Sequence, residues 1–174
     1  MPPLSLVPSI SVGRVSVALC TCNGKAYLRE QLDSIALQSR PIDELIVCDD
    51  ASTDDTLDVV RAFQQSKNLP FEVQLVVNPA RLGVTQNFAQ AVGACTGEFI
   101  FLADQDDVWA SQKVEKLLAL LQADSACAAA FCDAEVCDGT LKPMGHGLFE
   151  AVWFTQAEQQ MVQQGRAIEA FARH

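Results

Sequence analysis

Apolar and polar residues fall in alternating blocks along this chain, and each block has its own period. Arg14–Thr21 (RVSVALCT) is β-rich and nearly all apolar, the pattern of a strand covered on both faces. A turn at CNGK follows. Tyr27, Leu28, Leu32 and Ile35 then recur at helical spacing, and Pro41 should close that helix. Glu44–Cys48 (ELIVC) reads as a second strand leading into Asp49-Asp50. Ser52 and Asp55 have capping-box spacing, with Asp in place of Glu, so a helix should run from there to about Ser66. Phe71–Val77 reads as a third strand and Asn78-Pro79 as a turn. Val84, Phe88 and Ala91 give a helix stripe at i, i+4, i+7. Glu98–Ala103 (EFIFLA) is a fourth strand running into DQDD, and Val114, Leu117, Leu118 and Leu121 form another helix stripe. Ala128–Cys132 is expected to be a fifth strand ending at Asp133. Beyond Cys137, Gly139, Pro143, Gly145 and Gly147 mark a long loop, and Gln156–Ala172 reads as helix.

Strands alternating with helices in this order predict a three-layer α/β/α domain with a mostly parallel central sheet. Residues 1–13 form an irregular lead-in, 14–136 the core, and 137–174 a loop plus a helix. No internal repeat or low-complexity tract interrupts the order.

Composition narrows the functional classes. At 174 residues and 49% hydrophobic content, the chain can bury one real core, and it is too apolar to be disordered. No uncharged stretch reaches the length of a membrane span, and the N-terminal one, residues 1–13, carries three prolines, so no membrane span is expected. No basic segment opens the chain, which argues against a secretory signal. Twelve basic against twenty-two acidic residues give a net charge of −10. That charge repels a phosphate backbone, so nucleic acid is not an expected partner. It repels a bare diphosphate equally, so a phosphate ligand should arrive with a divalent cation. Seven cysteines without a CxxC pair, and only His146 and His174, do not make a zinc site. Most of these thiols lie in apolar runs, which implies buried small hydrophobes and a reducing, cytoplasmic compartment.

The candidate chemistry lies where three strands end. Open α/β sheets bind ligands outside the carboxyl ends of their strands. Here those ends are Thr21-Cys22-Asn23, Asp49-Asp50 and Asp104-Gln105-Asp106-Asp107, each followed by a helix N-terminus with backbone donors. Asp104 and Asp106 lie two apart and can reach one hard cation or its waters. Oxygen-only ligands suit Mg²⁺ or Mn²⁺. Asp107 is read as a cap or as a neighbour of the ligands, and Asp54, Asp55 and Asp58 as acids favoured by a helix dipole. Asp50 leads the turn directly after its strand, where a carboxylate can accept a hydrogen bond from a base N–H. His146, between two glycines, is read as part of a surface loop. No GxGxxG follows the first strand and no GxxxxGK[ST] occurs, which removes dinucleotide and P-loop enzymes. Asp104-x-Asp106-x-Val108 superficially matches an aspartyl-phosphate nucleophile motif, but that motif normally opens its fold, and here four strands precede or include it.

Three separated strings, VSVALCTCNG, DELIVCDDASTDDT and NPARLGVTQNFAQAVGACTGEFIFLADQDDVW, resemble the family 2 glycosyltransferases of the GT-A fold, from about Arg14 to Phe131. The GVTQNF and DQDDVW wording is similar to the branch that builds bacterial surface polysaccharides, including rhamnosyltransferase-like members. The resemblance implies that Asp50 hydrogen-bonds a nucleotide base and that Thr21 and Asn23 line the base and ribose pocket. It also implies that Asn87 lies near the nucleotide, that Asp104 sits by the ribose and metal, and that Asp106 ligates the metal on the diphosphate. The resemblance makes 14–136 the donor-binding core and 137–174 a partial acceptor-side region, with Trp153 and Phe154 either on an acceptor surface or in the core. The implied activity is inverting transfer from a UDP- or dTDP-sugar to a glycan or lipid-linked acceptor, at the inner face of the cell membrane through peripheral contact. Two departures stand out. Many relatives carry an aromatic residue where this chain has Cys22. The family's general base matches none of Asp133, Glu135, Asp138, Glu150, Glu158 or Glu169, so the resemblance places the base beyond His174. The alternative is a non-catalytic nucleotide-sugar and metal binding module.

Overall fold

A computed structural model describes residues 13–66, 68–167 and 170 of the chain. The lead-in expected over residues 1–13 lies outside them except for Gly13. The chain divides into two compact units, one up to Cys127 and one from Ala128.

The first unit alternates β1 (Val15–Thr21), α1 (Leu28–Ala36), β2 (Glu44–Asp49), α2 (Thr56–Gln64), β3 (Glu72–Val77), α3 (Val84–Ala94), β4 (Phe99–Asp104) and α4 (Lys113–Ala123). All four strands are parallel, in the order β3-β2-β1-β4. The central strands β1 and β2 are buried at every position, which is why their sequences read as unbroken apolar runs. The edge strands β3 and β4 alternate, with Phe101 and Ala103 of β4 buried and Ile100 and Leu102 exposed.

Helices cover both faces of the sheet. α3 packs across β1 and β2 on Ala18, Cys20, Ile46 and Cys48, with Ala91 at the contact. All but Ile46 are small, which lets the helix come close. The alternate strand residues Val15, Val17, Leu19, Leu45 and Val47 are fully buried on the other face, as are Leu28, Leu32 and Ile35 of α1 and Val60 of α2. Each such side chain contributes about 1.5–3 kcal/mol. α1 contacts α2. α4 is pinned beside α1, where Gln38 donates to the Ala110 carbonyl and accepts from the Val114 amide. Sheet growth runs from β1 to β3 and then reverses to β4, so right-handed crossovers put α3 opposite α1 and α2.

Several local expectations fail for identifiable reasons. α1 stops at Ala36, five residues before Pro41, because the Ser39 amide leaves the helix for the Ser111 carbonyl at 2.8 Å. Tyr27 precedes that helix and is half exposed. Ser52 does not cap α2. Its amide and hydroxyl turn back onto Asp49, and Asp54 takes the Thr56 amide instead. The α3 stripe is rotated: Val84 is exposed and Asn87 is buried beside Ala91. Ala128–Cys132 is not a strand. Its alanines carry little β preference, and a short apolar run has no period that distinguishes strand from coil.

In the second unit, β5 (Glu135–Cys137) pairs antiparallel with β6 (Pro143–Gly147), where a long loop was expected. His146 therefore lies in a strand. Asp138 closes the hairpin by accepting from the amides of Thr140 and Lys142. Asp133, expected at a strand end, accepts the Phe149 amide at the start of α5 (Leu148–Ala151). α6 (Gln156–Gln163) opens with a full capping box between Thr155 and Glu158. That Thr-x-x-Glu spacing is visible in the sequence. The expected continuation to Ala172 falls partly outside the described residues. All seven cysteines are free, but only Cys20 and Cys48 are buried, and Cys132 is exposed.

At the amino ends of the strands, Glu44 is 5% exposed. It accepts from the Ser16 hydroxyl, from the Thr96 amide at 2.6 Å and from Arg14 at 3.2 Å. Burial opposes its charge, but these donors outweigh burial and hold the carboxyl below its ordinary value of 4.5. Its contribution is therefore present above that value and lost as pH falls through the lower folded value. Glu44→Gln should cost about 1–2 kcal/mol at neutral pH. The gap from the parent should close in acid, as read by urea midpoints across pH. A gap that stays constant down to pH 3 would show that the charge is not what stabilises this corner.

Candidate functional site

The reversal of sheet growth at β1 makes the β1/β4 junction the topological switch point, where ligands of open α/β sheets bind. A cavity of about 230 Å³ opens there, and its lining includes Thr21, Asp50, Asn87, Asp104, Gln105 and Asp106. A larger groove of about 510 Å³ against β3 includes Glu44 and Phe71 and lies at the other end of the strands.

Asp49 and Asp50 end β2 pointing in opposite directions, as successive strand residues must. Asp49, fully buried, accepts from the Thr21 hydroxyl at 2.7 Å and from the Ser52 amide and hydroxyl at 2.8 and 2.6 Å. Ala51 turns through a positive φ of 55° to bring Ser52 back. Asp50, 5% exposed, accepts from the Leu82 amide at 2.7 Å, the Gly83 amide at 2.9 Å and the Asn78 side chain at 3.1 Å. The Leu82 amide is the chief cause of its lowered pKa. Burial opposes, and Asn78, Gly83 and Arg81 add to the lowering. Asn78 also donates to Asn87, whose amide donates to the Cys48 carbonyl at 2.8 Å. Asn87 therefore joins α3 to the end of β2 while lining the cavity.

The β1–α1 loop is held from two sides. Asn23, at φ 53°, is exposed and is not among the cavity-lining residues. Its side-chain oxygen accepts from the Thr53 amide at 2.8 Å and its own amide donates to Ser52. From β4, Gln105 pairs with the Cys22 backbone in both directions: it accepts the Cys22 amide at 2.7 Å and donates to the Cys22 carbonyl at 3.2 Å. A Cβ on Gly24 would sit 2.1 Å from that glutamine oxygen, so the loop carries glycine there. Sequence reasoning missed Gln105 because it treated the residue between the two aspartates as a spacer. It missed Asn78 because it read Asn-Pro only as a turn.

Asp104 and Asp106 both line the cavity. Burial raises the Asp104 pKa, the carboxylates of Asp107 and Asp106 raise it further, and Lys113 partly offsets them. Asp107 is also raised, chiefly by burial. Lys113 is itself stacked 4.5 Å over the Trp109 ring. Among the described residues, no group of three or more His, Cys, Asp or Glu is arranged to hold a metal. The Asp104–Asp106 pair instead offers two hard oxygen donors on an open cavity, whose mutual repulsion a cation would relieve. That donor set fits Mg²⁺ or Mn²⁺, which characteristically bind one or two carboxylates plus substrate phosphates and water. Cys20 also lines the cavity, but burial pushes its thiol up to about 12, so it stays protonated and unreactive at neutral pH.

Residues 16–172 match Glycosyl transferase family 2. Among curated relatives, the chain is 36% identical over 96 residues to the poly(ribitol-phosphate) beta-N-acetylglucosaminyltransferase TarS of Staphylococcus aureus, covering 54% of this chain and 16% of TarS. It is 28% identical over 109 residues to an uncharacterized glycosyltransferase of Nostoc sp., covering 63% of this chain and 33% of that protein. The chain spans less than half the length of these relatives. Among solved structures, the mannosyltransferase PcManGT of Pyrobaculum calidifontis, in complex with GDP-Man and Mn²⁺, is similar with a TM-score of 0.58 and 27% identity, over 74% of this chain and 37% of that one. TarS 1-349 gives a TM-score of 0.56 and 25% identity, over 63% and 32%. The α/β fold with a parallel central sheet is thus of the GT-A kind.

Replacing Asp50 by Asn turns one accepting oxygen into a donor facing backbone amides. Asp50→Asn should speed hydrogen exchange at Leu82 and Gly83 several-fold and leave the Thr53 amide, held by Asn23, unchanged. Equal exchange at Leu82 and Gly83 in the two proteins would show that the carboxylate does not hold this loop.

Proposed function

This chain belongs to glycosyl transferase family 2, and on that basis we propose that it binds a nucleotide-diphospho-sugar at the β1/β4 switch point and serves inverting sugar transfer. The acceptor is a glycan or a lipid-linked saccharide. Its hydroxyl attacks the anomeric carbon in line, the bond to the diphosphate oxygen breaks, and the electron pair leaves with the nucleoside diphosphate. The hydroxyl proton passes to a general base.

In this reading Asp50 accepts the base N–H with the one lone pair left over from its three donors. Thr21 and Asn23 stand on the base and ribose side, and Asn87 shapes the wall. Asp104 and Asp106 would hold Mg²⁺ or Mn²⁺, and the ion would neutralise the charge of the leaving diphosphate. The reading rests most on one observation: Asp50, Asp104 and Asp106 all line the same cavity at the strand ends. The GDP-Man and Mn²⁺ of PcManGT support it by similarity. Peripheral contact with a membrane carrying the acceptor belongs to the same reading, and among the described residues no helix is long and apolar enough to cross a membrane.

One observation favours the second reading, a nucleotide-sugar binding module without catalysis. Three acids after α4 are committed locally: Asp133 to the start of α5, Asp138 to the hairpin turn, and Glu158 to the α6 capping box. Turnover with an added acceptor separates the two readings.

The first test is calorimetric titration with UDP, dTDP and GDP, with and without Mn²⁺. Asp106→Ala should abolish the metal-dependent part of the affinity while leaving the fold intact. Asp50→Ala should weaken binding of the free nucleoside even without metal. Mn²⁺-dependent UDP affinity that survives in Asp106→Ala would sink the assignment of that residue.

A further inference from the structure

The second unit carries a residue whose backbone and side chain are both placed at a cost. α5 ends in a Schellman motif: the Trp153 amide donates to the Glu150 carbonyl at 3.1 Å and the Phe154 amide to the Phe149 carbonyl at 2.8 Å. The hydrophobic contact that accompanies this motif is present, with the Phe149 and Phe154 rings 5.1 Å apart. Phe154 is buried with Met161 and Ala170. Between them, the position that turns left-handed is Trp153, at φ 59°. Glycine is the usual residue there, because a Cβ is strained in that conformation. The Trp153 side chain gains little from the fold in return, since the residue is 82% exposed. Val152 and Leu148, in the same turn, are 51% and 42% exposed.

We propose that Trp153 is a stacking platform for a neutral sugar ring, and that it forms an acceptor-side glycan site on the second unit. The proposal deepens the glycosyltransferase reading and rests on it for the class of ligand. Strain and exposure concentrated in one residue point to function rather than to packing. A pyranose presents an apolar C–H face that an indole can cover and a rim of hydroxyls that need polar partners. Glu150, exposed in the same turn, offers such a partner. Charge disfavours an anionic membrane or a polyanion as occupant. The chain carries −10 overall, and the second unit's Asp133, Glu135, Asp138, Glu150 and Glu158 outnumber Lys142 and Arg166 among the described residues.

Trp153→Gly separates function from structure. Glycine suits φ 59°, so the variant should melt a few degrees higher than the parent. A merely structural tryptophan would instead lower the melting point when removed. In the parent, neutral oligosaccharides of hexose and N-acetylhexosamine at millimolar concentration should protect the exposed indole from acrylamide quenching, with Trp109 as the buried internal reference. By calorimetry, Trp153→Gly should lose that binding at least tenfold. Its metal-dependent UDP affinity should be unchanged. Four results would overturn the proposal: no protection by any sugar of the panel, equal sugar affinity in the variant, protection by phosphatidylcholine vesicles alone, or a parent dimer that Trp153→Gly dissolves. UDP binding without sugar binding would remove this inference and leave the donor site standing. Sugar binding without nucleotide binding would do the reverse.

Discussion

Two adjacent carboxylates at the end of β2 organise the cavity side of the sheet. A strand must send successive side chains to opposite faces. Asp49 therefore reaches the loops over α1 and α2, while Asp50 reaches the loop before α3. Buried charge is tolerated only where donors converge on it, and here six do: the Thr21 hydroxyl, the amide and hydroxyl of Ser52, the amides of Leu82 and Gly83, and the Asn78 side chain. The loops after β1, β2 and β3 are thereby fixed to one dipeptide. Gln105 ties the turn after β4 to the same loop set through Cys22. These hydrogen bonds give the cavity shaped by the four loops a definite form.

Much of this was legible beforehand, and the failures share a cause. β1, β2 and the strand ends were readable because burial on both faces leaves unbroken apolar runs, and because strand ends in such sheets are where ligands bind. The α4 stripe was readable because Val114, Leu117 and Leu118 do face inward. What failed depended on partners distant in sequence. Ser52 looked like a cap, but Asp49 competes for it. Pro41 looked like the helix terminator, but Ser111 captures the chain earlier. The glycine-rich stretch after Cys137 looked like a loop, but Asp138 closes it into a hairpin. Local spacing states what a residue can do, and only the fold decides which of several acceptors or donors it meets.

The same contrast separates the aromatic pair at 153 and 154. In sequence Trp153 and Phe154 are adjacent large apolar residues with nothing to tell them apart. The Schellman turn divides them, since its C″ residue must fold back on the helix while its C′ residue is thrown outward. Phe154 therefore joins Phe149 in the interior, and Trp153 takes the strained, exposed position. That division comes from a turn the sequence did not announce, since the stretch before Trp153 read as loop.

Two of the features that break local rules also divide by chemistry. At the end of β4, burial and neighbouring carboxylates raise the cost of ionising Asp104 and Asp107, and Lys113 relieves only part of it. On the second unit, a tryptophan occupies a glycine position. The first violation is electrostatic and is relieved by positive charge or by donors. The second is steric and apolar, and a cation does nothing for it. A ligand that answers the first carries charge, and one that answers the second presents a flat, uncharged face. An enzyme that joins a nucleoside diphosphate sugar to a saccharide needs one surface of each kind. The net charge of −10 on these 174 residues favours neither anionic lipids nor nucleic acids at either place. In the proposed reading, these two unsatisfied places would take donor and acceptor chemistry respectively.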